Sequence, residues 1–293
     1  MPSDTPPAVP ASGLAEATAE RLRANLDKPS PARIYDYLLG GHNHYAIDRE
    51  FGDRQRQLMP DIVRAMKANR AFLGRVVRYA VEAGIRQFVD IGSGLPTVGQ
   101  VHEIADQAAP GQCRVVYIDN EPIAYAHAEA LLGRNADPDR HHALYADLLE
   151  YVDLWTQVSQ INGIDPQEPT CLLVVALLHF ITPEQAPENA LEFLRGCLPP
   201  GSLLAMSHGC DELDDPGIQE VVRNYSKEST TQTCLRTRAE FTAFFGDFEL
   251  VDPGVVWVPQ WRPDGNDKPW KGSPATSRYL AGLARKPAPP TPI

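Results

Sequence analysis

From Gly84 onward the chain alternates short apolar runs with stretches of helical spacing, and nothing else in the sequence limits its fold so strongly. The runs Gln87–Ile91, Arg114–Ile118, Ala143–Ala146, Cys171–Leu177, Ser202–Ser207, Phe248–Val251 and Ser277–Leu283 read as strands. Helices fit between most of them, at Val98–Gln107, Ile123–Leu132, Glu150–Ile161, Ala186–Cys197 and Thr237–Phe245. Strands that alternate with helices form a mostly parallel sheet covered on both faces, because each parallel connection must cross back over the sheet. The link between the last two strands carries Trp257, Trp261 and Trp270 but shows no helical period. A link without a crossover helix suits an antiparallel excursion at the end of the sheet. The expected class is therefore α/β, with seven mostly parallel strands.

The segment before Gly84 reads as helical. Leu14, Leu22 and Leu26 fit one amphipathic helix. Ser30-Pro31 then offers an N-cap with proline at the first helical position, and Gly40-Gly41 ends the helix that carries Ile34, Tyr35, Leu38 and Leu39. A longer helix spans about Pro60 to Ala83. The expected organisation is a Pro/Ala-rich disordered tail over residues 1–13, an N-terminal helical cap over 14–84, the α/β domain over 85–285 and a second disordered tail over 286–293.

Charge and cysteine usage exclude several functions. The chain carries a net charge of −11, whereas a protein that grips a phosphate backbone presents a basic face, so a small molecule is the expected partner and a nucleic acid is not. The longest apolar run, Cys171 to Ile181, falls short of the roughly 18 residues of a membrane span. The first residues show no secretory pattern, and the five cysteines are scattered without a CxxC pair. Reduced thiols in a cytoplasmic protein are the expectation.

Chemistry concentrates at the strand ends. Phe88-Val89-Asp90-Ile91-Gly92-Ser93-Gly94-Leu95-Pro96-Thr97 follows one strand and opens a helix. Gly92 and Gly94 let the backbone turn sharply around Ser93 and approach a ligand, while Asp90 can fix the loop or meet an ammonium group. The next strand ends in Asp119-Asn120, where a carboxylate can accept both hydroxyls of a ribose. After the third strand, Asp147 can accept from an adenine amino group while Leu148 offers its backbone amide; Asp147 is equally well read as a helix N-cap. The fourth strand leaves through Ala176-Leu177-Leu178-His179-Phe180, and His179 is either a general base or a structural histidine. A dinucleotide site asks for GxGxxG to seat a pyrophosphate, but Pro96-Thr97 stand where the third glycine belongs. An acid just before the first glycine suits the cationic end of S-adenosylmethionine (SAM) instead.

This order of strand-end residues resembles the class I SAM-dependent methyltransferases, whose fold is Rossmann-like. The resemblance gives Gly92 and Gly94 the amino-acid part of SAM, and Asp90, Ser93 and Ala176 are expected beside them in the cofactor site. It gives Asp119 the ribose and Asp147 the adenine, with Asn120 and Leu148 expected as further cofactor-binding residues. Longer segments are similar to a narrower family, mostly actinobacterial, once filed as a domain of unknown function and now called S-adenosyl methyltransferases. They are Pro31–Arg49, Asn69–Leu73, Asp90–Thr97 and Val251–Pro263, within a similarity running from about residue 28 to 285. One departure is His42-Asn43-His44-Tyr45 after Gly-Gly, where the family pattern has Lys-Asp-Asn-Phe or similar.

The implied activity is methyl transfer from SAM to an unidentified small molecule. A SAM-binding sensor without turnover and an NAD-dependent oxidoreductase are the rival readings. Tyr35, Asp36 and Arg70, on cap helices above the crevice, are candidates for substrate recognition, and Tyr35 and His179 for catalysis. Packing and an ion pair within the cap would explain the first three as well. His42, His44 and His141-His142 raise the question of a metal, but His42 and His44 have no third partner beyond Asp48, and no metal is expected. Ser207-His208 lacks the elbow of a hydrolase nucleophile. The polar stretch Cys210 to Arg236 stands where a lid over the acceptor is often inserted, and its acidic start reads as a solvated face.

Overall fold

The computed structural model describes residues 26–96, 99–210 and 212–288. The tail over residues 1–13, the helix through Leu14 and Leu22, Thr97, Val98, Asp211 and the last five residues lie outside the described set. Three helices open the described chain: α1 (Pro31–Leu39), α2 (Ala46–Leu58) and α3 (Ile62–Glu82). Then follow β1 (Gln87–Ile91), α4 (Val101–Ala108), β2 (Arg114–Asp119), α5 (Pro122–Asn135), β3 (His141–Tyr145), α6 (Tyr151–Gln160), β4 (Thr170–Val175), α7 (Pro187–Cys197) and β5 (Leu203–Gly209). The last elements are α8 (Pro216–Glu228), α9 (Arg238–Ala243), β6 (Glu249–Leu250), β7 (Val256–Trp257) and β8 (Tyr279–Arg285).

The strands form one sheet in the order β3-β2-β1-β4-β5-β8-β6, with β7 paired to β8. β1 to β5 are mutually parallel, and β8 runs antiparallel to β5, β6 and β7. All seven expected strands are present, and the two-residue β7 is an eighth. β4 stops at Val175, two residues short of expectation, because Ala176 takes a left-handed backbone (φ 56°).

Side chains alternate across the sheet, as the period of two in a strand dictates. Val89, Val116, Leu172 and Leu204 face α6, α7 and α9 in one apolar core. Phe88, Val115, Leu173 and Leu203 face the other way, onto α3 and α4. Trp261, from the tryptophan-bearing link, is fully buried there, edge-on to Phe72. Arg75 of α3 holds that link in place by donating to the carbonyls of Val258 and Trp261 and pairing with Asp267.

A third core lies above the strand ends. Ile34 and Leu38 of α1, Phe51 of α2 and the first turns of α3 meet Ile218, Val221 and Tyr225 of α8 there. Neither α2 nor α8 was expected from the sequence. The cap thus takes in a helix from the second half of the chain, while the C-terminal half of α3 packs on the sheet. Ser30 does stand at the N-cap of α1, but its hydroxyl makes no capping bond; its backbone N–H donates instead to Asp48 Oδ1 at 3.0 Å. Among the described residues no helix is long and apolar enough to cross a membrane.

Candidate functional site

β1 lies between β2 and β4, so the chain leaves the C-terminal ends of β1 and β4 in opposite directions and opens a crevice between them. The cap roofs this crevice and leaves a cavity of about 420 Å³. Asp90, Gly92, Ser93, Gly94, Asp119, Asn120, Asp147, Leu148 and Ala176 all line it, as do Tyr35, Arg70 and His179. Twelve side chains or backbone segments singled out in the sequence therefore meet at one place. Asp36 does not line it.

The loop after β1 is held open by backbone geometry. Gly92 (φ 71°) and Gly94 (φ 66°) occupy the left-handed region, which a side chain disfavours. The N–H groups of Gly92 and Ser93 both donate to Ile118 O, at 2.8 and 3.0 Å, and tie the loop to β2. A methyl at Gly92 would stand 2.7 Å from Leu177 Cδ1, so the loops after β1 and β4 approach too closely for one.

Acidic groups ring this loop. Asp90 is buried, and burial pushes its carboxyl up to about 7 against the opposing pull of Arg70, with Asp119 pushing it further up. Such an acid gains its charge when a cation enters beside it. Arg70 lies close enough to act on Asp90 and donates to Gly99 O at 2.9 Å. Asp119 accepts from Gly94 N–H through Oδ2 and from Glu121 N–H through Oδ1, at 2.8 and 2.9 Å. Burial nonetheless raises its pKa above the usual carboxylate range. Asp147 accepts from Leu149 N–H and from Asn120 Nδ2, both at 2.9 Å, so it caps the 3₁₀ turn Leu148–Glu150 and fixes Asn120 in the same gesture. These contacts leave further lone pairs on both carboxylates.

A hydrogen-bonded chain joins the sheet to the cap. Ala176 N–H donates to Ser207 Oγ at 3.0 Å, Ser207 Oγ donates to Asn69 Oδ1 at 2.6 Å, Asn69 Nδ2 donates to Tyr35 Oη at 3.1 Å, and Tyr35 donates to Met66 O at 3.2 Å. Tyr35 thereby directs its proton to a carbonyl, and burial raises its pKa against the opposing effects of Asn69 and Arg70. Ser207 acts here as a link between strand and helix. His179 is buried with Nδ1 lacking a partner. Burial holds its pKa well below the usual histidine range, with His208 and the Arg236 guanidinium adding to the effect.

Asp36 turns to the loop after α1, where Oδ2 accepts from Asn43 N–H at 2.8 Å beside the Gly41 backbone. Its placement supports a structural part in the loop after α1 rather than contact with a ligand in the cavity. Asp48 is likewise spent on local donors: Ser30 N–H, Tyr45 N–H and Arg33. His44 Nε2 lies 3.1 Å from Gly41 O. His141 and His142 fall on β3, where neighbours point to opposite faces, and His141 is buried against His102. The acidic start of the polar stretch is partly paired, Glu212 with Arg238 and Asp215 with Arg278.

Arg33 and Glu121 escaped the sequence reading. Arg33 is fully buried, and it pairs with Asp48 at 2.8 Å and with Glu121 at 2.9 Å. Glu121 also caps α5 by accepting from Ala124 N–H, and burial pushes its pKa up to about 7 although Arg33 opposes the shift. This buried trio clamps α1 and α2 onto the turn that carries Asp119. Asn69 was quoted only as part of a motif; its signal was a polar side chain on the apolar face of α3.

Comparison with known proteins agrees with this geometry. A family model described as S-adenosyl methyltransferase matches residues 17–287. A structure from Thermobifida fusca, assigned as a methyltransferase, superposes with a TM-score of 0.80 at 36% identity, over 90% of this chain and 97% of that one. A DUF574 family protein from Streptomyces avermitilis superposes equally, with a TM-score of 0.80 at 37% identity over 89% and 98%. A Mycobacteroides abscessus protein assigned as a SAM-dependent methyltransferase is 31% identical over 144 residues, which are 46% of this chain and 45% of the relative. A protein of Mycobacterium marinum assigned in the same way is 28% identical over 179 residues, or 60% and 52%. The matches thus span about half the length of these two relatives. With a GxG loop, an acid at each of three strand ends and a family match over nearly its whole length, the chain belongs to the S-adenosyl methyltransferases, whose cofactor is SAM.

Proposed function

We propose that this chain transfers the methyl group of SAM to a small molecule held in the same cavity, between the cap and the ends of β4 and β5. The observation that carries the reading is that one cavity joins the strand-end acids to an apolar roof built by α1, α3 and α8. Its volume lies within the range of about 300–1,000 Å³ common to small-molecule sites.

The residues present fit the cofactor. Asp90 would take its ammonium group, since burial leaves this acid in need of a cation, and Arg70 beside it would take the carboxylate. Asp119, with lone pairs to spare, would accept from the ribose hydroxyls, and Asp147 with the Leu148 amide would meet the adenine. Ser93, Asn120 and Ala176 complete the walls. SAM supplies an activated methyl group on a sulfonium, so the protein's part is to align an acceptor and exclude water. The ring of His179 reaches the cavity in its neutral form and can accept a hydrogen bond from an acceptor, but its depressed pKa makes it a poor store for a proton. We assign no catalytic part to Tyr35, whose engaged hydroxyl positions Asn69.

A net charge of −11 supports a small molecule over a nucleic acid, and five free cysteines support a cytoplasmic setting. Calorimetric titration with SAM, S-adenosylhomocysteine and NAD tests the reading. Binding of the first two, lost in Asp119→Ala, is expected. Binding of NAD alone would replace the methyltransferase with an oxidoreductase. Binding of SAM without methylation of any compound in a metabolite extract would favour a sensor.

A further inference from the structure

The cavity has two unlike halves. Asp90, Asp119, Glu121, Asp147 and Arg70 stand around the ends of β1 to β3 and beneath the cap helix α3. The other half is walled by Leu38, Met59, Ile62 and Met66 from the cap and by Ile218 and Val221 from α8. Arg278 is the charged side chain among the described residues lining this half; its Nη2 pairs with Asp215, while its Nη1 is buried without a partner and adds to the penalty on a second cation. No carboxylate lines it among the described residues. An ammonium group brought there would lose its hydration and find no counter-ion.

Three side-chain atoms of residues lining this half are buried without a partner: His179 Nδ1, Thr233 Oγ1 and Arg278 Nη1. The bond from Cys234 N–H to His179 O, 2.8 Å long, brings the Thr233 segment alongside His179. Buried polar atoms are rarely left unmatched, and the exceptions concentrate where a ligand completes them. A hydroxyl is the smallest group that can donate to one partner and accept from another. His179 is held neutral by burial and by its neighbours His208 and Arg236, whose donors go to the carbonyls of Leu178 and Ile181 and to His208 Nε2.

Resting on the methyltransferase reading above, we propose that this half of the cavity takes a largely apolar molecule that carries a hydroxyl group and no positive charge, with the hydroxyl seated against His179 and Thr233. Apolar walls supply most of the affinity, and the His179–Thr233 pair selects a hydroxyl over a plain hydrocarbon. Leaving that pair unmatched penalises the hydrocarbon, while the missing counter-ion penalises the amine.

Three probes of similar size separate these terms: 4-propylphenol, propylbenzene and 3-phenylpropylamine, the last a cation at pH 7.5. Each is titrated into the full chain saturated with S-adenosylhomocysteine, with binding read by calorimetry and by ligand-observed NMR. The phenol is expected to bind roughly tenfold more tightly than either of the others. His179→Phe and Thr233→Val should each bring the phenol toward the hydrocarbon while S-adenosylhomocysteine affinity stays within about twofold. The proposal is overturned by an amine that binds as tightly as the phenol, by no phenol binding to the loaded protein, or by phenol affinity unchanged in both variants. In each of those cases binding of S-adenosylhomocysteine leaves the cofactor reading standing. If that compound does not bind, the cofactor reading fails, and the same three probes, titrated into the free protein, still decide the chamber's preference.

Discussion

Ser207 on β5 donates its hydroxyl proton to Asn69 Oδ1 on α3 across 2.6 Å, in a fully buried contact between the sheet and the cap. The same hydroxyl accepts from Ala176, and Asn69 passes the connection on to Tyr35. Ser207→Ala would leave Asn69 Oδ1 buried and unmatched. A loss of about 1–3 kcal/mol in urea unfolding is expected. The cap helix would lose its side-chain tie to β5 while Ala176 N–H keeps its bond to Ser207 O at 3.1 Å, so S-adenosylhomocysteine affinity should fall in the same variant through the cap.

Asp90 and Glu121 give the free protein an unusual pH response. Both have folded-state pKa values raised to about 7, chiefly by burial, from ordinary values near 4. Between those limits the folded chain holds more protons than the unfolded one, so stability falls as pH rises through that window. Urea midpoints of the free protein should be higher at pH 5.5 than at pH 8, and Asp90→Asn should flatten the difference. With the cofactor's ammonium placed beside Asp90, as proposed, binding runs the opposite way, because a cation there favours the ionised carboxyl. SAM affinity should rise with pH up to about 7, by at most about tenfold per unit. Calorimetry across that range checks the sign, and Asp90→Asn should weaken binding and remove the slope.

Arg33 is the central member of a buried trio, and its loss would strand two carboxylates. Arg33→Met is expected to cost about 3–5 kcal/mol, much more than surface pairs such as Arg56–Asp53. Comparison of Arg33→Met with Arg56→Met in urea unfolding tests this. If the two lose equal stability, the clamp between cap and sheet has been misjudged.

Ala176 adopts a backbone conformation better suited to glycine. Ala176→Gly should therefore leave stability unchanged or raise it by up to about 1 kcal/mol, even though a methyl group is removed from the cavity wall. A marked loss of stability would show that the alanine side chain contributes packing that outweighs the strain.

The sequence showed the sheet clearly and the cap poorly, and the difference is physical. Strands such as Cys171–Val175 are buried on both faces and stand out as unbroken apolar runs. Helix α2, AIDREFGDRQRQL, buries Phe51 but otherwise mostly polar residues, Asp48 and Gln55 among them, so it carries almost no apolar stripe. Helix α8 does carry one, at Ile218, Val221 and Tyr225, but acidic and hydroxyl residues on either side obscured it. The strand-end acids were legible because their chemistry is local: each follows an apolar run directly. Arg33–Glu121 was not, since its members are 88 residues apart and only the fold joins them. The Pro31–Arg49 segment was recognisable as a pattern long before its cause was visible, which is the Arg33–Asp48 pair within it.

Strand β8 lies between β5 and β6, both of which the ribosome completes earlier. Until residues 279–285 emerge, the two earlier strands have no shared neighbour, and Tyr279 and Arg278 are missing from the cavity wall. The five parallel strands, with the glycine loop and three acids at their ends, are all made while the cavity still lacks a side. The strand that joins β5 to β6 is thus the last of the sheet to be made, and with it comes the Tyr279 part of the cavity wall.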